Sequence, residues 1–537
     1  MATRKTARNK VSPTPKERAP LAQDGSASPP LRRRKREPMS RVDTAWLRME
    51  RSTNLMMISS VMMFETPLAL DRLKRLIKDR FLAYPRFRQK VVETTLGPCW
   101  ENDPDFDLDW HVRLSALPGR GAKRELERFV SQMASTPLDQ SKPLWQFHLV
   151  ERYGGGSALV SRIHHCYADG IALVQVLLSM TDVEARPQKA EPLTRSWLNE
   201  EEHAKVAQRV GAIDRYVQIG GKVLEKGMDF YRDPSLAAVV ANEGVELARE
   251  LAYALALPDD PATVLKAPLG VSKRCAWAEP LSLADVKAVG RAFRCTVNDV
   301  LLASVAGALR SYLIERGEVL DGSNIRVTVP VNLRPLEHAK QLGNHFGLVF
   351  LELPVGEPNP VARLQAVAAS MRQLRKSRQA IMAFGLLAAL GMAPTPLQRI
   401  ALELFSRKAS AVATNVPGPQ SPLYLAGSKI SDMMFWVPQT GGIGIGVSIL
   451  SYNGHVHFGL IADAKLMPDP DSVIRRFEPE FDKLLYLALM AGWDEDLTPG
   501  EAESIVHTAC GQASGQAWEQ PPASPAGKGC QDTLLKS

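Results

Sequence analysis

The sequence has few cysteines, and none of them stand at the spacing of a metal or redox motif. Six cysteines lie at positions 99, 166, 275, 295, 510 and 530 of the 537 residues, with no CxxC pair among them. This excludes a disulfide framework and a zinc ribbon as organising features and predicts free thiols in a reducing cytoplasm. The GxSxG turn that presents the nucleophilic serine of α/β-hydrolases is also missing, so a covalent acyl-serine of that kind is not expected.

The body of the chain lacks an excess of positive charge. The formal charge of the whole sequence is +8, but residues 1–40 alone hold eleven Lys/Arg against three Asp/Glu, and the remainder has 55 of each sign. A balanced body argues against nucleic acid as a partner. The basic stretch Arg32–Arg36 could attract an anionic membrane surface, or the first forty residues could be a solvated extension with no partner.

Uncharged runs long enough to cross a membrane are almost absent. Residues 380–398 contain no charged side chain, and Ile381 to Met392 is strongly apolar. Pro394 and Pro396 shorten the helical part to about thirteen residues, fewer than the ~20 that a bilayer requires. A helix of this size, preceded by several basic residues, is more typical of a membrane interface or a groove in the core.

A glycine-rich run at 441–449 does not have the GxGxxG spacing of a phosphate-binding loop. The glycines recur at every second residue, which is the period of a β-strand. We therefore predict a strand with a bare face centred on Gly444. Strand glycines often mark the close approach of a ligand or of another backbone, so Gly444 is a candidate for the wall of a substrate tunnel.

The most informative stretch is Ser161 to Gly170, which follows an apolar alternating run. Alternation places His164 and His165 on opposite faces of a strand. Asp169 stands where a strand gives way to an apolar helix and is a candidate N-cap residue. A histidine at the end of a buried strand suits proton transfer near neutral pH. The alternative is that both histidines are ordinary core or surface residues and that Asp169 only caps the helix.

A second candidate is Asn298, in the first turn of a helix for which we predict Thr296 as the N-cap. Leu301, Val305, Ala308 and Tyr312 trace the apolar face of this helix. A buried amide at that position needs a hydrogen-bond partner, and a substrate carbonyl is one possibility. Capping of the helix by Asn298 and Asp299 explains the spacing equally well.

The chain is too long for one hydrophobic core, and its composition and hydrophobic pattern change along its length. We predict a disordered basic tail at 1–40, an α/β lobe at 41–185, a helical linker at 186–265, a second lobe at 266–497 and a disordered tail at 511–537. Strands and helices alternate in the first lobe, which is the pattern of an α/β domain.

Several motifs together resemble a known family. HHCYADG at 164–170 is similar to the HHxxxDG signature of the superfamily of acyltransferases that includes chloramphenicol acetyltransferase and the condensation domains of peptide synthetases. Further matches, in the same order, resemble the bacterial wax ester synthase/acyl-CoA:diacylglycerol acyltransferase family: Pro143-Leu144-Trp145, TVNDVLL at 296–302, VPVNLR at 329–334, Leu342-Gly343-Asn344 and NVPGP at 415–419. The resemblance covers about residues 40 to 490.

This resemblance implies a fold of two chloramphenicol-acetyltransferase-like lobes with mixed sheets. It implies transfer of a fatty acyl group from acyl-CoA to diacylglycerol or a long-chain alcohol, with His165 as general base and His164 and Asp169 beside it. It also favours Asn298 as a substrate-binding residue. No metal or redox cofactor is implied, and acyl-CoA is a substrate. We expect a cytoplasmic protein at the surface of a membrane or lipid inclusion.

Two other functions remain compatible with HHxxxDG. A condensation-type enzyme would take its acyl group from a carrier protein, but it would not share the PLW, NDVLL and NVPGP motifs. A non-catalytic lipid-droplet protein could have kept the fold, although the intact His165 and Asp169 argue against it.

Overall fold

A computed structural model describes residues 36–185, 257–333, 342–377, 379–392 and 394–490. Three of the predicted regions lie outside these residues, wholly or in large part: the basic tail up to residue 35, the linker from 186 to 256 and the C-terminal tail. The described residues form a mixed α/β fold with two large sheets, as predicted for the fold class.

The first large sheet contains seven strands in the order β5-β6-β7-β2-β15-β14-β8. Its strands are β2 (Met57–Phe64), β5 (Val112–Ser115), β6 (Trp145–Tyr153), β7 (Gly156–His164), β8 (Thr181–Asp182), β14 (Tyr424–Leu425) and β15 (Ser428–Trp436). The central strands β2 and β7 are buried on both faces, which explains their nearly continuous apolar sequences.

Two strands of this sheet, β14 and β15, come from the far end of the chain. β15 pairs antiparallel with β2, with Trp436 opposite Ser59. The predicted boundary between lobes at 185 and 266 therefore does not separate the two sheets, because part of the second lobe completes the first sheet. Sequence alone could not show this pairing, since nearly 400 residues separate the two strands.

A small three-stranded sheet lies beside the first lobe. It is formed by β1 (Arg36–Pro38), β3 (Gln89–Thr94) and β4 (Gly97–Asn102), with β4 in the centre. β1 falls inside the segment that we predicted as a tail at 1–40. The correction has a simple cause: β1 finds an antiparallel partner in β4, and Arg36 forms an ion pair with the buried Glu101 at 2.7 Å.

The second large sheet also has seven strands. Six follow the order β10-β17-β16-β13-β11-β12, and β9 also pairs with β17. Its strands are β9 (Lys273–Trp277), β10 (Leu281–Ser282), β11 (Ile325–Asn332), β12 (Phe346–Leu353), β13 (Ala411–Pro417), β16 (Ile445–Tyr452) and β17 (His455–Asp463). Both β11 and β16 run parallel to β13, so the sheet is mixed.

Eleven α-helices are present among the described residues. They are α1 (Arg41–Met49), α2 (Leu70–Leu76), α3 (Leu108–His111), α4 (Lys123–Ser135), α5 (Gly170–Ser179), α6 (Leu283–Ala292), α7 (Val297–Glu315), α8 (Pro360–Lys376), α9 (Gln379–Met392), α10 (Thr395–Arg407) and α11 (Asp471–Met490). The predicted N-cap of α7 is confirmed, because Thr296 and Asp299 form a reciprocal capping box.

The predicted helical linker at 186–265 lies mostly outside the described residues. Its last part, 257–265, contains no helix, and buried Asp260 in this part accepts a hydrogen bond from the Arg326 N–H at 2.8 Å. The predicted glycine strand begins only at Ile445, because Gly441 has a φ of 58° and starts a turn. Positive φ is a glycine conformation that ends strand alternation.

The apolar run at 380–398 forms two helices rather than one. α9 ends at Met392, and α10 begins after Pro394, which is its N-cap residue. Among the described residues, one helix is long and apolar enough to cross a membrane, and that is α7. Since 72% of its apolar window is buried inside the protein, it packs as a core helix between the second sheet and α11.

Candidate active site

The turn after β7 presents His165 to the space between the two large sheets. β7 ends at His164, and the next backbone N–H, that of His165, donates to the Met56 carbonyl at 2.7 Å. This bond holds the turn to the start of β2. The predicted strand and the turn into the following helix are confirmed, and only their boundary differs by one residue.

The imidazole of His165 is enclosed by aromatic rings. It stacks on Trp46 of α1, with centroids 4.1 Å apart, and lies 5.6 Å from the ring of Phe346 of β12. Only 3% of the His165 surface is exposed. Burial lowers the pKa of His165 to about 4, and the negative charge of Asp169 opposes this shift only in part. The ring is therefore neutral near pH ~7 and able to accept a proton.

His164 occupies a different environment, as strand alternation predicts. Its Nδ1 accepts a hydrogen bond from the Cys166 N–H at 3.1 Å, and its Nε2 lies 3.0 Å from a carboxylate oxygen of Glu50. Burial raises the pKa of Glu50, but hydrogen bonding and charge from His164 outweigh burial and lower it. His164 does not line the cavity described below, so the structure assigns it to the support of the turn.

Asp169 holds two parts of the chain together. One carboxylate oxygen accepts from the Ala172 N–H at 2.8 Å and caps α5, while the other accepts from the His345 N–H at 3.0 Å. The predicted N-cap is thus confirmed. Its carboxylate also reaches the cavity wall beside His165. Asp169 therefore fixes the turn and places a negative charge near the imidazole.

Asn344 contributes a contact that the sequence did not reveal. Its Nδ2 donates to the His165 carbonyl at 2.9 Å and to Oδ1 of Asp43 at 2.7 Å. Burial raises the pKa of Asp43 to about 6. Gly343 beside it has a φ of 113°, which favours glycine. The Leu342-Gly343-Asn344 motif pointed to this residue, but the motif did not show that Asn344 contacts His165 and Asp43.

A cavity opens next to His165 and runs between the two sheets. It contains about 690 Å³ of empty space, counting the part that is open to solvent. Its walls are mostly apolar: Trp46, His165, Asp169, Gly170, Thr328, Pro330, Asn332, Phe346, Leu348, Val412, Thr414, Asn415, Val416, Phe435, Val437, Pro438 and Thr440. Such a lining, with few polar groups, is typical of a site for an apolar chain attached to a polar reacting group.

The structure places Asn298 one residue behind the cavity wall. Asn415 of β13 lines the cavity, and its Nδ2 donates a hydrogen bond to Oδ1 of Asn298. Capping of α7 is carried out by Thr296 and Asp299 and not by Asn298. Asn298 therefore does not line the cavity itself but is linked to it by the hydrogen bond from Asn415.

Gly444 is not brought to the site. A methyl group built on Gly444 would lie 2.6 Å from Leu466 and 2.7 Å from Leu269, both of which pack with the core of the second lobe. Gly444 is also not among the residues that line the cavity. The glycine that does line it is Gly170, where a methyl group would meet only Val437 at 3.7 Å.

The site combines a buried neutral histidine, an Asp-capped turn and an apolar cavity between two sheets. Together they define a two-lobed acyltransferase of the HHxxxDG type. Two family models match the chain: the wax ester synthase/diacylglycerol acyltransferase catalytic domain over residues 39–301, and the C-terminal domain of the same proteins over residues 342–485. The chain belongs to the wax ester synthase/diacylglycerol acyltransferase family and is an acyltransferase.

Individual proteins agree with this assignment. A Mycobacterium tuberculosis relative named "Probable diacyglycerol O-acyltransferase tgs2" is 30% identical over 463 residues, which cover 82% of this chain and 97% of the relative. The fold is similar to that of a wax ester synthase/diacylglycerol acyltransferase from Marinobacter aquaeolei VT8, with a TM-score of 0.59, 22% identity and coverage of 84% of this chain and 100% of that one. The first condensation domain of the CDA synthetase is a more distant match, with a TM-score of 0.51, 16% identity and coverage of 87% and 98%.

Proposed function

We propose that this enzyme transfers a fatty acyl group from acyl-CoA to diacylglycerol or a long-chain alcohol, with His165 as the general base. The observation that carries the proposal is the position of the buried, neutral imidazole of His165 in the wall of an apolar cavity between the lobes. The names of the relatives support diacylglycerol as an acceptor. The products are triacylglycerol or a wax ester, and free CoA.

The proton balance of the reaction follows from the state of His165. The neutral ring takes the proton from the acceptor hydroxyl as the oxygen forms a bond to the thioester carbonyl carbon. The carbon–sulfur bond then breaks, and the imidazolium returns the proton to the departing thiolate of CoA. General base catalysis of this kind contributes roughly 10² to 10⁴ in rate. The proposed reaction uses the two substrates and protein side chains, and calls for no metal or redox cofactor.

The neighbours of His165 serve as positioning residues in this proposal. Asp169 stabilises the imidazolium that forms during the reaction, because its carboxylate already raises the tendency of His165 to hold a proton. His164 braces the turn through Glu50 and the Cys166 backbone. Asn298 orients Asn415, whose side chain lies in the cavity wall, and Asn415 contacts the bound substrate.

The thiol of Cys166 is not the nucleophile in this mechanism. The side chain is fully buried, and burial raises the pKa of its thiol well above the ordinary value. A protonated thiol is a poor nucleophile. The acyl group therefore passes directly from CoA to the acceptor oxygen.

A carrier-protein-dependent condensation reaction is the second candidate, since the chain shares the two-sheet fold of a condensation domain. A non-catalytic lipid-droplet protein is the third. One experiment tests the proposal against both alternatives: CoA release by the purified full chain with palmitoyl-CoA and a panel of acceptors that includes dioleoylglycerol, hexadecanol and an amino-acid amide. We expect release with the two lipid acceptors. Transfer only to the amine, or no release with any acceptor, would contradict the proposal.

We also propose that the enzyme works in the cytoplasm as a peripheral protein on a membrane or lipid inclusion, because its acceptors are insoluble lipids. The basic tail at 1–40 is one source of attraction to an anionic surface. Deleting residues 1–35, which keeps β1, should weaken binding to anionic vesicles, more so at low salt. The rate on detergent-dispersed substrate should be nearly unchanged. Equal vesicle binding with and without the tail would place the attachment elsewhere.

A further inference from the structure

Helix α10 carries an exposed apolar face. Leu397, Ile400 and Leu404 are 55%, 56% and 38% exposed. Their spacing of three and then four residues places them in one row along the helix. Single exposed apolar residues are common on proteins, but a row of three large side chains forms a contiguous patch. We call these three residues the α10 row.

The opposite face of α10 packs inside the protein. Gln398 and Ser406 are buried, and Leu402 packs against the core of the first lobe. These contacts of the inner face hold the helix in place. The α10 row is therefore not needed for the packing of the helix. Leu96 and Val319 are also strongly exposed, but they lie in a turn and a loop. Tyr486, Leu489 and Met490 form a second exposed apolar group at the end of α11, but no residue of α11 lines the cavity.

The inner face of α10 also touches the loop that lines the substrate cavity. A methyl group built on Gly441 would lie 2.7 Å from Cβ of Ser406 and 3.0 Å from the Leu402 carbonyl oxygen. The preceding residue, Thr440, lines the cavity. The α10 row is therefore separated from the cavity loop by the thickness of one helix, about 10 Å.

Basic side chains are exposed near the α10 row. Arg407 follows Leu404 by three residues and continues the row, whereas Arg399 lies on the flank of the helix. The single acidic residue of the helix, Glu403, forms an ion pair with Arg51 of the first lobe at 3.3 Å. An apolar row with cations near it matches a lipid surface with anionic headgroups, because apolar groups enter the acyl region and arginines remain among the phosphates.

We propose that the α10 row is the surface that docks on an anionic lipid layer and brings the cavity to its lipid acceptor. This inference rests on the proposed function, since only an enzyme with a lipid acceptor needs its cavity at such a surface. It differs from attachment through the basic tail or through α9. Docking through α10 would fix the orientation of the cavity relative to the lipid surface, whereas attachment at the N-terminal end alone would not.

The test uses the full chain and vesicles of phosphatidylcholine and phosphatidylglycerol that contain dioleoylglycerol. The main variant combines Leu397→Gln, Ile400→Gln and Leu404→Gln. The matched control combines Leu96→Gln and Val319→Gln, which remove exposed apolar side chains elsewhere. We expect vesicle co-sedimentation to weaken at least about tenfold in the main variant and to stay at the wild-type level in the control.

Turnover distinguishes docking from damage. With vesicle-borne dioleoylglycerol, kcat/KM of the main variant should fall at least as much as binding does. With octanoyl-CoA and hexanol, both dissolved in buffer, its rate should equal that of the wild type. A second variant, Arg399→Gln with Arg407→Gln, should weaken binding to anionic vesicles while leaving binding to phosphatidylcholine vesicles unchanged.

Three results would overturn the inference: vesicle binding of the main variant at the wild-type level, an equal loss of rate with dissolved hexanol, or a dimer that the variant converts to a monomer without changing vesicle binding. The last would show that a second copy of the chain covers the α10 row. If the proposed function alone is wrong, the wild type will bind vesicles through the α10 row without forming triacylglycerol.

Discussion

The indole ring of Trp46 lies face to face with the imidazole of His165, at a centroid distance of 4.1 Å and an interplanar angle of 22°. Trp46 belongs to α1 at the start of the folded chain, and His165 follows β7 more than a hundred residues later. The stack covers one face of the proposed base and excludes water from it. This burial is the main reason that the pKa of His165 is lowered to about 4.

We expect Trp46→Ala to raise the pKa of His165 towards its ordinary value, because water would reach the exposed ring face. The acid limb of kcat/KM should then move up by about one pH unit or more. Trp46→Phe is the matched control. It keeps a smaller aromatic ring on the imidazole, and the indole N–H that it removes has no hydrogen-bond partner among the described residues. Identical pH profiles in the two variants would contradict this account.

His165→Ala should lower kcat by roughly 10² to 10⁴, since it removes the proton acceptor. His164→Ala should lower kcat less and reduce thermal stability, since it leaves the Glu50 carboxylate and the Cys166 N–H without their partner. CoA release and thermal melting of both variants provide the measurement. Equal losses of activity with unchanged melting in both would argue against His165 as a single base.

Asn344→Ala should destabilise the protein by about 1 to 3 kcal/mol, because it removes the side-chain amide that donates to the buried carboxyl of Asp43 and to the His165 carbonyl. Activity should fall as well, since the turn that carries His165 would lose its tie to Asp43. Asn324→Ala is a suitable control, because Asn324 makes only a long, exposed bond of 3.4 Å to Glu352. Urea denaturation of the two variants provides the measurement. Equal midpoints would show that the hydrogen bonds of the Asn344 side chain do not stabilise the protein.

Substitutions of two glycines separate the cavity from the core. Gly170→Leu should fill the cavity beside His165 and shift the preference to shorter acyl chains, with little change in melting. Gly444→Val should instead lower stability by about 1 to 3 kcal/mol through overpacking against Leu269 and Leu466. It should not change the chain-length optimum. A chain-length series of acyl-CoA substrates and a melting curve on each variant provide the test. A shifted chain-length optimum in Gly444→Val would instead support the prediction that Gly444 lines a substrate tunnel.

Acidification should destabilise the protein between about pH 6.5 and pH 4. Burial lowers the pKa to about 4 at four histidines, which are His111, His148, His165 and His457. The unfolded chain binds these protons more readily than the folded chain, so the free energy of unfolding decreases as pH falls through this range. Asp43 and Glu127 act in the opposite direction, because burial raises their pKa to about 6 and about 7.

The four histidines outnumber these two carboxyls, and the individual pKa shifts are of similar size. The free energy of unfolding should therefore decrease from pH ~7 to pH ~4, by about 1.4 kcal/mol per unit of pKa shift for each group that titrates fully. The midpoint of urea denaturation should decrease with it. His148→Asn removes one of the four groups and should flatten the slope. A midpoint that rises on acidification would show that the carboxyls dominate.

Local sequence patterns were sufficient to predict the elements around the site. The alternation before His164 predicted β7, Asp169 predicted the cap of α5, and Thr296 predicted the cap of α7. These features depend on contacts between residues that are close in sequence. A short stretch of sequence is therefore enough to predict each of them. The motifs that resemble the family also predicted the fold class and the kind of activity.

What the sequence by itself determined, then, was the identity of the proposed base and the turn that carries it. The tertiary structure decided which groups surround that base. Trp46 reaches His165 from one distant part of the chain, and Asn344 and Phe346 reach it from another. β15 joins a sheet whose other central strands come from the opposite lobe. Gly444 had the right local pattern, but its neighbours Leu269 and Leu466 place it in the core. Burial and pKa depend on the packing of such distant residues, and no local pattern specifies them.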